Sequence, residues 1–88
     1  MNLSLLDIDG EMLVVSQFTL FANTQRGKRP SYMSAAGAED ALRCYEYFVT
    51  SSRQIVRKVN TGAFGKMMDV ELVNDGPVTI ILDTKNSI

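Results

Sequence analysis

The chain has no histidine, no tryptophan, one cysteine and two prolines in 88 residues, and each scarcity narrows what it can do. Without histidine, a Ser-His-Asp or Cys-His arrangement is impossible within the chain. Zinc sites built from His and Cys are excluded with it, and the acidic residues lack the spacing of a calcium loop, so neither metal nor cofactor is expected. A single cysteine, Cys44, excludes an internal disulfide and fits a reducing compartment; set among Leu42, Tyr45 and Phe48, it reads as core. No apolar run reaches the roughly 20 residues that cross a bilayer. The opening Met1-Asn2-Leu3-Ser4-Leu5-Leu6-Asp7 also lacks the basic start of a signal peptide. A cytoplasmic location without membrane contact is therefore expected.

The net charge of −1 and pI near 5.2 give no overall attraction to nucleic acid, so any RNA contact has to come from a local patch. An apolar fraction of 45% and a charged fraction of 22% are those of a folding globular chain. Residues 1–88 make one domain. A chain this short hides only roughly 60–65% of its unfolded surface, near the margin of independent stability, so help from a partner subunit is expected.

Glu11-Met12-Leu13-Val14-Val15-Ser16-Gln17-Phe18 is too apolar to alternate, as suits a central strand. From Ala38 to about Ile55, Ala41, Leu42, Tyr45, Phe48, Val49 and Ser52 or Ile55 recur at helical spacing. Glu39 and Asp40 sit at the start of that stretch, and Arg53, Arg57 and Lys58 near its end. Val56 to Thr61 predicts a short strand, Met68-Asp69-Val70-Glu71-Leu72 a half-exposed one, and Val78-Thr79-Ile80-Ile81-Leu82 a buried one. Strand, helix and three further strands predict an α+β fold: a mainly antiparallel sheet with one long amphipathic helix packed on it.

Two short segments stand out together. Ser16-Gln17-Phe18-Thr19 lies at the end of the first strand, and Asn74-Asp75-Gly76-Pro77-Val78-Thr79 makes a Gly-Pro turn some sixty residues later. In this order, SQFT followed by NxGPxT resembles the D-aminoacyl-tRNA deacylases (the D-Tyr-tRNA deacylase family). These are chiral-proofreading enzymes that remove D-amino acids from mischarged tRNA. The resemblance extends through Thr24-Gln25-Arg26-Gly27-Lys28-Arg29-Pro30-Ser31 and Thr61-Gly62-Ala63-Phe64-Gly65, from about Met1 to about Asp83. Family members are usually much longer, and the resemblance implies that this chain lacks the first strands and helix of the domain.

The resemblance also implies a chemistry compatible with the absent histidine. The free hydroxyl of the substrate's terminal ribose lies beside the scissile ester and assists its cleavage. The enzyme supplies orientation and an oxyanion hole, each worth several kcal/mol. Ser16, Gln17, Phe18 and Thr19 then form the catalytic segment, with the Gln17 and Phe18 N–H groups facing the oxyanion and the Thr19 hydroxyl near the ester. Gly76 and Pro77, supported by Asn74 and Thr79, are implied to hold a cis peptide that enters the pocket of a neighbouring subunit. A backbone wall of this kind rejects L side chains by steric exclusion. The expected assembly is a homodimer with the site at the subunit interface. Glycine, having no side chain, would escape the filter, so mischarged glycyl-tRNA is expected as a further substrate.

The residues alone leave blander readings open: Thr19 as a strand residue, Ser16 as a tie for the strand end, and Gly76-Pro77 as a plain turn. Arg26, Lys28 and Arg29 are the candidates for gripping phosphate at the tRNA acceptor end, against the alternative of a solvated loop. Phe64, Met67 and Met68 are candidates for the pocket that takes the amino-acid side chain, against a core role. A non-catalytic module that binds a tRNA end or a partner is the competing function. Poor folding with an open sheet edge is a third outcome.

Overall fold

A computed structural model describes residues 2–25 and 27–84. It contains strand β1 (Glu11–Val14), a 3-10 turn (Phe18–Phe21), helix α1 (Ala38–Arg53) and strand β2 (Lys58–Thr61). The two strands pair in parallel, with Glu11 opposite Lys58 and Val14 opposite Thr61. The Gly62 N–H extends the pairing by donating to the Val14 carbonyl at 3.0 Å. A parallel pair cannot be joined by a tight turn, and α1 lies in the long connection that returns the chain to the start of its neighbour.

Helix α1 begins after Gly37 without a side-chain cap, carries Glu39 and Asp40 in its first turn and Arg53 in its last. Those charges suit the helix dipole. Its inward face is Ala41, Tyr45, Val49 and Ser52, at spacings of three and four. Val49 joins Val56 and Val59 as the buried core, with Leu5, Met12, Val14 and Tyr45 packed against it. Burying each valine contributes about 1.5–3 kcal/mol. Ser52 is buried among them, and its hydroxyl donates back to the Phe48 carbonyl at 2.8 Å, which satisfies a group that would otherwise be costly there. The apolar stripe expected from spacing is thus two faces: Leu42, Phe48 and Ile55 point outward, at 37%, 53% and 67% exposure. Cys44 is exposed on that outer side, which corrects its expected place in the core.

The entry into β1 is fastened by charge. Arg57, just before β2, reaches back to Asp9 at 3.2 Å and to Glu11 at 2.9 Å, and donates to the Asp9 carbonyl at 3.3 Å. These groups are about half exposed or more, so each pair contributes only about 0.2–1 kcal/mol.

Three sequence expectations need correction. The α+β character stands, but the ladder among the described residues is parallel. Antiparallel pairing is confined to an isolated bridge between Asn23 and Ser31. Strand β1 stops at Val14, so Ser16-Gln17-Phe18 leaves the sheet instead of ending a strand. Segments 68–72 and 78–82 join no ladder and are exposed along their length. Their alternation suits strands, but among the described residues no neighbouring backbone takes up their N–H and C=O groups, and only Met68 and Val70 turn toward an apolar surface, that of the cleft. Among the described residues, no helix is long and apolar enough to cross a membrane.

Candidate functional site

A cleft of about 660 Å³ opens where the chain leaves β1 and where it leaves β2. The first exit supplies Val15, Ser16, Gln17 and Phe18, with Phe21 one helical turn on. The second supplies Phe64, Gly65, Lys66, Met67 and Met68. Because the strands run parallel, both exits lie at the same end of the sheet, so two segments some fifty residues apart meet. Ala41 and Tyr45 of α1 close the cleft from the helix side.

Its walls are held by packing. The Tyr45 and Phe64 rings lie 5.4 Å apart at 39°, a tilted contact worth roughly 0.5–1.5 kcal/mol beyond burial. The Tyr45 hydroxyl donates to the Gly62 carbonyl at 3.4 Å. Gly62 has a steric reason to be glycine, since a Cβ there would meet the Met68 sulfur at 2.9 Å and its methyl at 3.1 Å. Met68 lies over the end of β2 only because that space is open. Met67 is fully exposed and stands at the rim.

The structure brings Ser16, Gln17 and Phe18 together with Phe64, Met67 and Met68, joining the expected catalytic segment to the expected pocket residues. Gln17 is extended (φ −150°, ψ 94°) and precedes the 3-10 turn, which no side chain caps. The first N–H groups of such a turn have no partner within it. Thr19 stands apart from the cleft lining; its hydroxyl accepts a hydrogen bond from the Gln17 side-chain amide.

The other expected residues lie elsewhere. Asn74, Gly76, Pro77 and Thr79 belong to the exposed segment and do not line the cleft. No peptide bond among the described residues is cis, so Gly76–Pro77 is trans, which corrects the cis bond implied by resemblance. For X-Pro the trans form is favoured by about 0.5–1 kcal/mol, and nothing packs on this turn to reverse that preference. Gly76 has φ 117°, a backbone conformation that side chains disfavour.

Arg26 lies outside the described residues. Lys28 and Arg29 are exposed in the loop closed by the Asn23–Ser31 bridge, whose two hydrogen bonds measure 2.7 and 2.8 Å. That loop is tied to the cleft, because Tyr32 just beyond it packs edge-on against Phe18 with ring centres 5.1 Å apart. Among the described residues no group of three or more His, Cys, Asp and Glu could hold a metal ion.

Sequence reasoning missed Phe21 and Lys66 as lining residues and assigned Tyr45 only to core. Glycines on both sides of Ala63-Phe64 were the available signal for the turn that presents Lys66.

Comparison with known proteins gives a consistent result. The family model for D-Tyr-tRNA(Tyr) deacylase matches residues 1–83. A D-aminoacyl-tRNA deacylase of Cytophaga hutchinsonii is 55% identical over 98% of this chain and 58% of its own length. The protein of the same name from Thermosipho africanus is 55% identical over 97% of this chain and 57% of its own. A Bacillus subtilis protein named inactive D-aminoacyl-tRNA deacylase is 56% identical over 97% of this chain and 64% of its own. The chain therefore spans about 57–64% of the length of these relatives.

Proposed function

Since the chain belongs to the D-Tyr-tRNA(Tyr) deacylase family, we propose that it hydrolyses the ester of D-aminoacyl-tRNA, releasing the D-amino acid and free tRNA. The observation that carries this reading is the cleft, in which the Ser16-Gln17-Phe18 exit from β1 faces the Phe64–Met68 exit from β2. Its apolar walls suit an amino-acid side chain, and it has no histidine to serve as base. Proton transfer therefore falls to the substrate's own ribose hydroxyl, while the Gln17 and Phe18 N–H groups stabilise the oxyanion. Thr19 orients the segment through its bond with Gln17.

Chiral selection is assigned to Gly76 and Pro77, with Asn74 and Thr79 shaping their turn. Because this turn does not reach the cleft of its own chain, it serves the cleft of a second copy in a homodimer. The same assembly gives segments 68–72 and 78–82 the backbone partners they lack alone, as antiparallel strands. A backbone wall excludes by size, so glycyl-tRNA passes where L-aminoacyl-tRNA does not. Arg26, Lys28 and Arg29 hold the acceptor end by phosphate contacts that read no sequence.

The test is the hydrolysis rate of one D-aminoacyl-tRNA and its L counterpart by the purified 88-residue chain, against spontaneous ester loss. D-selective acceleration is expected. A folded chain that accelerates neither overturns the reading. It would favour a second one, a non-catalytic tRNA-end or partner-binding module, supported by the similarity to a relative named inactive.

A further inference from the structure

The described cations divide by position. Those of the scaffold are engaged: Arg43 with Asp40, Arg57 with Asp9 and Glu11, Lys58 with Glu11, and Arg53 with the Val59 carbonyl. Lys28, Arg29 and Lys66 make no ion pair among the described residues. Two of them lie in the loop tied to the cleft by Tyr32 and Phe18, and the third lines the cleft itself. Among the described residues, Lys66 is the only charged side chain in that lining; the others are apolar or carry neutral hydroxyl and amide groups.

Its placement is fixed by the backbone. The Lys66 N–H closes a turn on the Ala63 carbonyl at 3.2 Å, and Phe64 within that turn is packed on Tyr45. The turn is anchored while the Lys66 side chain is exposed. We infer that Lys66 is a phosphate-positioning residue, whose ammonium holds a backbone phosphate of the RNA end that delivers its terminal ester to the cleft. This rests on the proposed function. The chemistry selects phosphate because the amino group of an aminoacyl ester is itself cationic and would be repelled. The RNA backbone is the part of that substrate with an anion at every nucleotide, and an ammonium binds phosphate as a point charge. Lys28 and Arg29 then take phosphates on the loop side of the cleft and Lys66 on the β2 side.

The experiment measures binding of an uncharged RNA hairpin with an unpaired 3′ tail to the 88-residue chain across a range of salt. With no amino acid on the probe, any effect of Lys66 comes from the RNA itself. Lys66→Met is expected to reduce the slope of log K against log salt by about 0.7–0.9, the loss of one phosphate contact. Lys66→Arg restores it, and Lys58→Ala, which removes a cation from the scaffold, leaves it unchanged. An unaltered slope in Lys66→Met, with wild-type binding intact, overturns the inference and spares the proposed function. A wild-type chain that shows no salt-dependent binding overturns both.

Discussion

The β1–α1–β2 unit and segment 67–84 have similar apolar content and opposite fates. In the first, Val49, Val56 and Val59 are 5–7% exposed and the strands have paired backbones. In the second, Val73, Val78, Ile80 and Leu82 are 63–92% exposed and join no ladder. Each region carries one of the two motifs. Ser16-Gln17-Phe18 of the first motif sits where packing gives it a definite place beside Phe64 and Met68. NxGPxT sits on a turn whose surroundings are solvent. The difference teaches that apolar alternation supplies only half of a strand. The other half is a neighbour with free N–H and C=O groups and an apolar face to cover.

The contrast breaks most visibly under charge insertion. Val49→Asp buries an unpaired carboxylate and is expected to abolish cooperative unfolding, a loss above about 4 kcal/mol. Ile80→Asp is expected to change stability by less than about 0.5 kcal/mol. Denaturant melts followed by circular dichroism compare them, and equal damage would show that the second region is packed after all. Next in size is Phe64→Ala, which removes the ring contact with Tyr45 and part of the cleft wall. It should cost about 1–3 kcal/mol in the same melts.

The remaining two substitutions ask whether the exposed turn acts on the packed site. Pro77→Ala is expected to lower the D-over-L preference about tenfold, or roughly 1.4 kcal/mol in relative barrier, with little change in melting. An unchanged preference would remove the wall. The smallest effect is expected from Thr19→Ala. Its hydroxyl accepts from Gln17 and does not line the cleft, so a loss of less than about tenfold in D-aminoacyl-tRNA hydrolysis is expected. Complete loss with an intact fold would place the Thr19 hydroxyl at the ester.

Part of the fold was legible. The helix expected from Ala38 to about Ile55 is found over Ala38–Arg53, and the short strand expected over Val56 to Thr61 is found over Lys58–Thr61, both following from periodicity. Three features were not legible, each for a separate reason. Parallel pairing escaped because a four-residue strand has the same side-chain alternation in either direction. Which helix face turns inward escaped because Leu42, Phe48 and Ile55 recur at spacings as helical as those of Ala41, Tyr45 and Val49. Lys66 escaped because an isolated lysine beside glycine reads as surface until a cleft is built around it.

By itself, the sequence determined the chemistry open to this protein. The absence of histidine, the single cysteine and the two motifs are facts of composition and order, and no packing can change them. Tertiary structure alone decided proximity: which residues meet at the end of the sheet, which of the described cations make no ion pair among the described residues, and that Gly76–Pro77 stands away from the cleft of its own chain. Proximity depends on strand direction and on the surfaces available to cover apolar side chains, and both are properties of contacts between segments far apart in the chain.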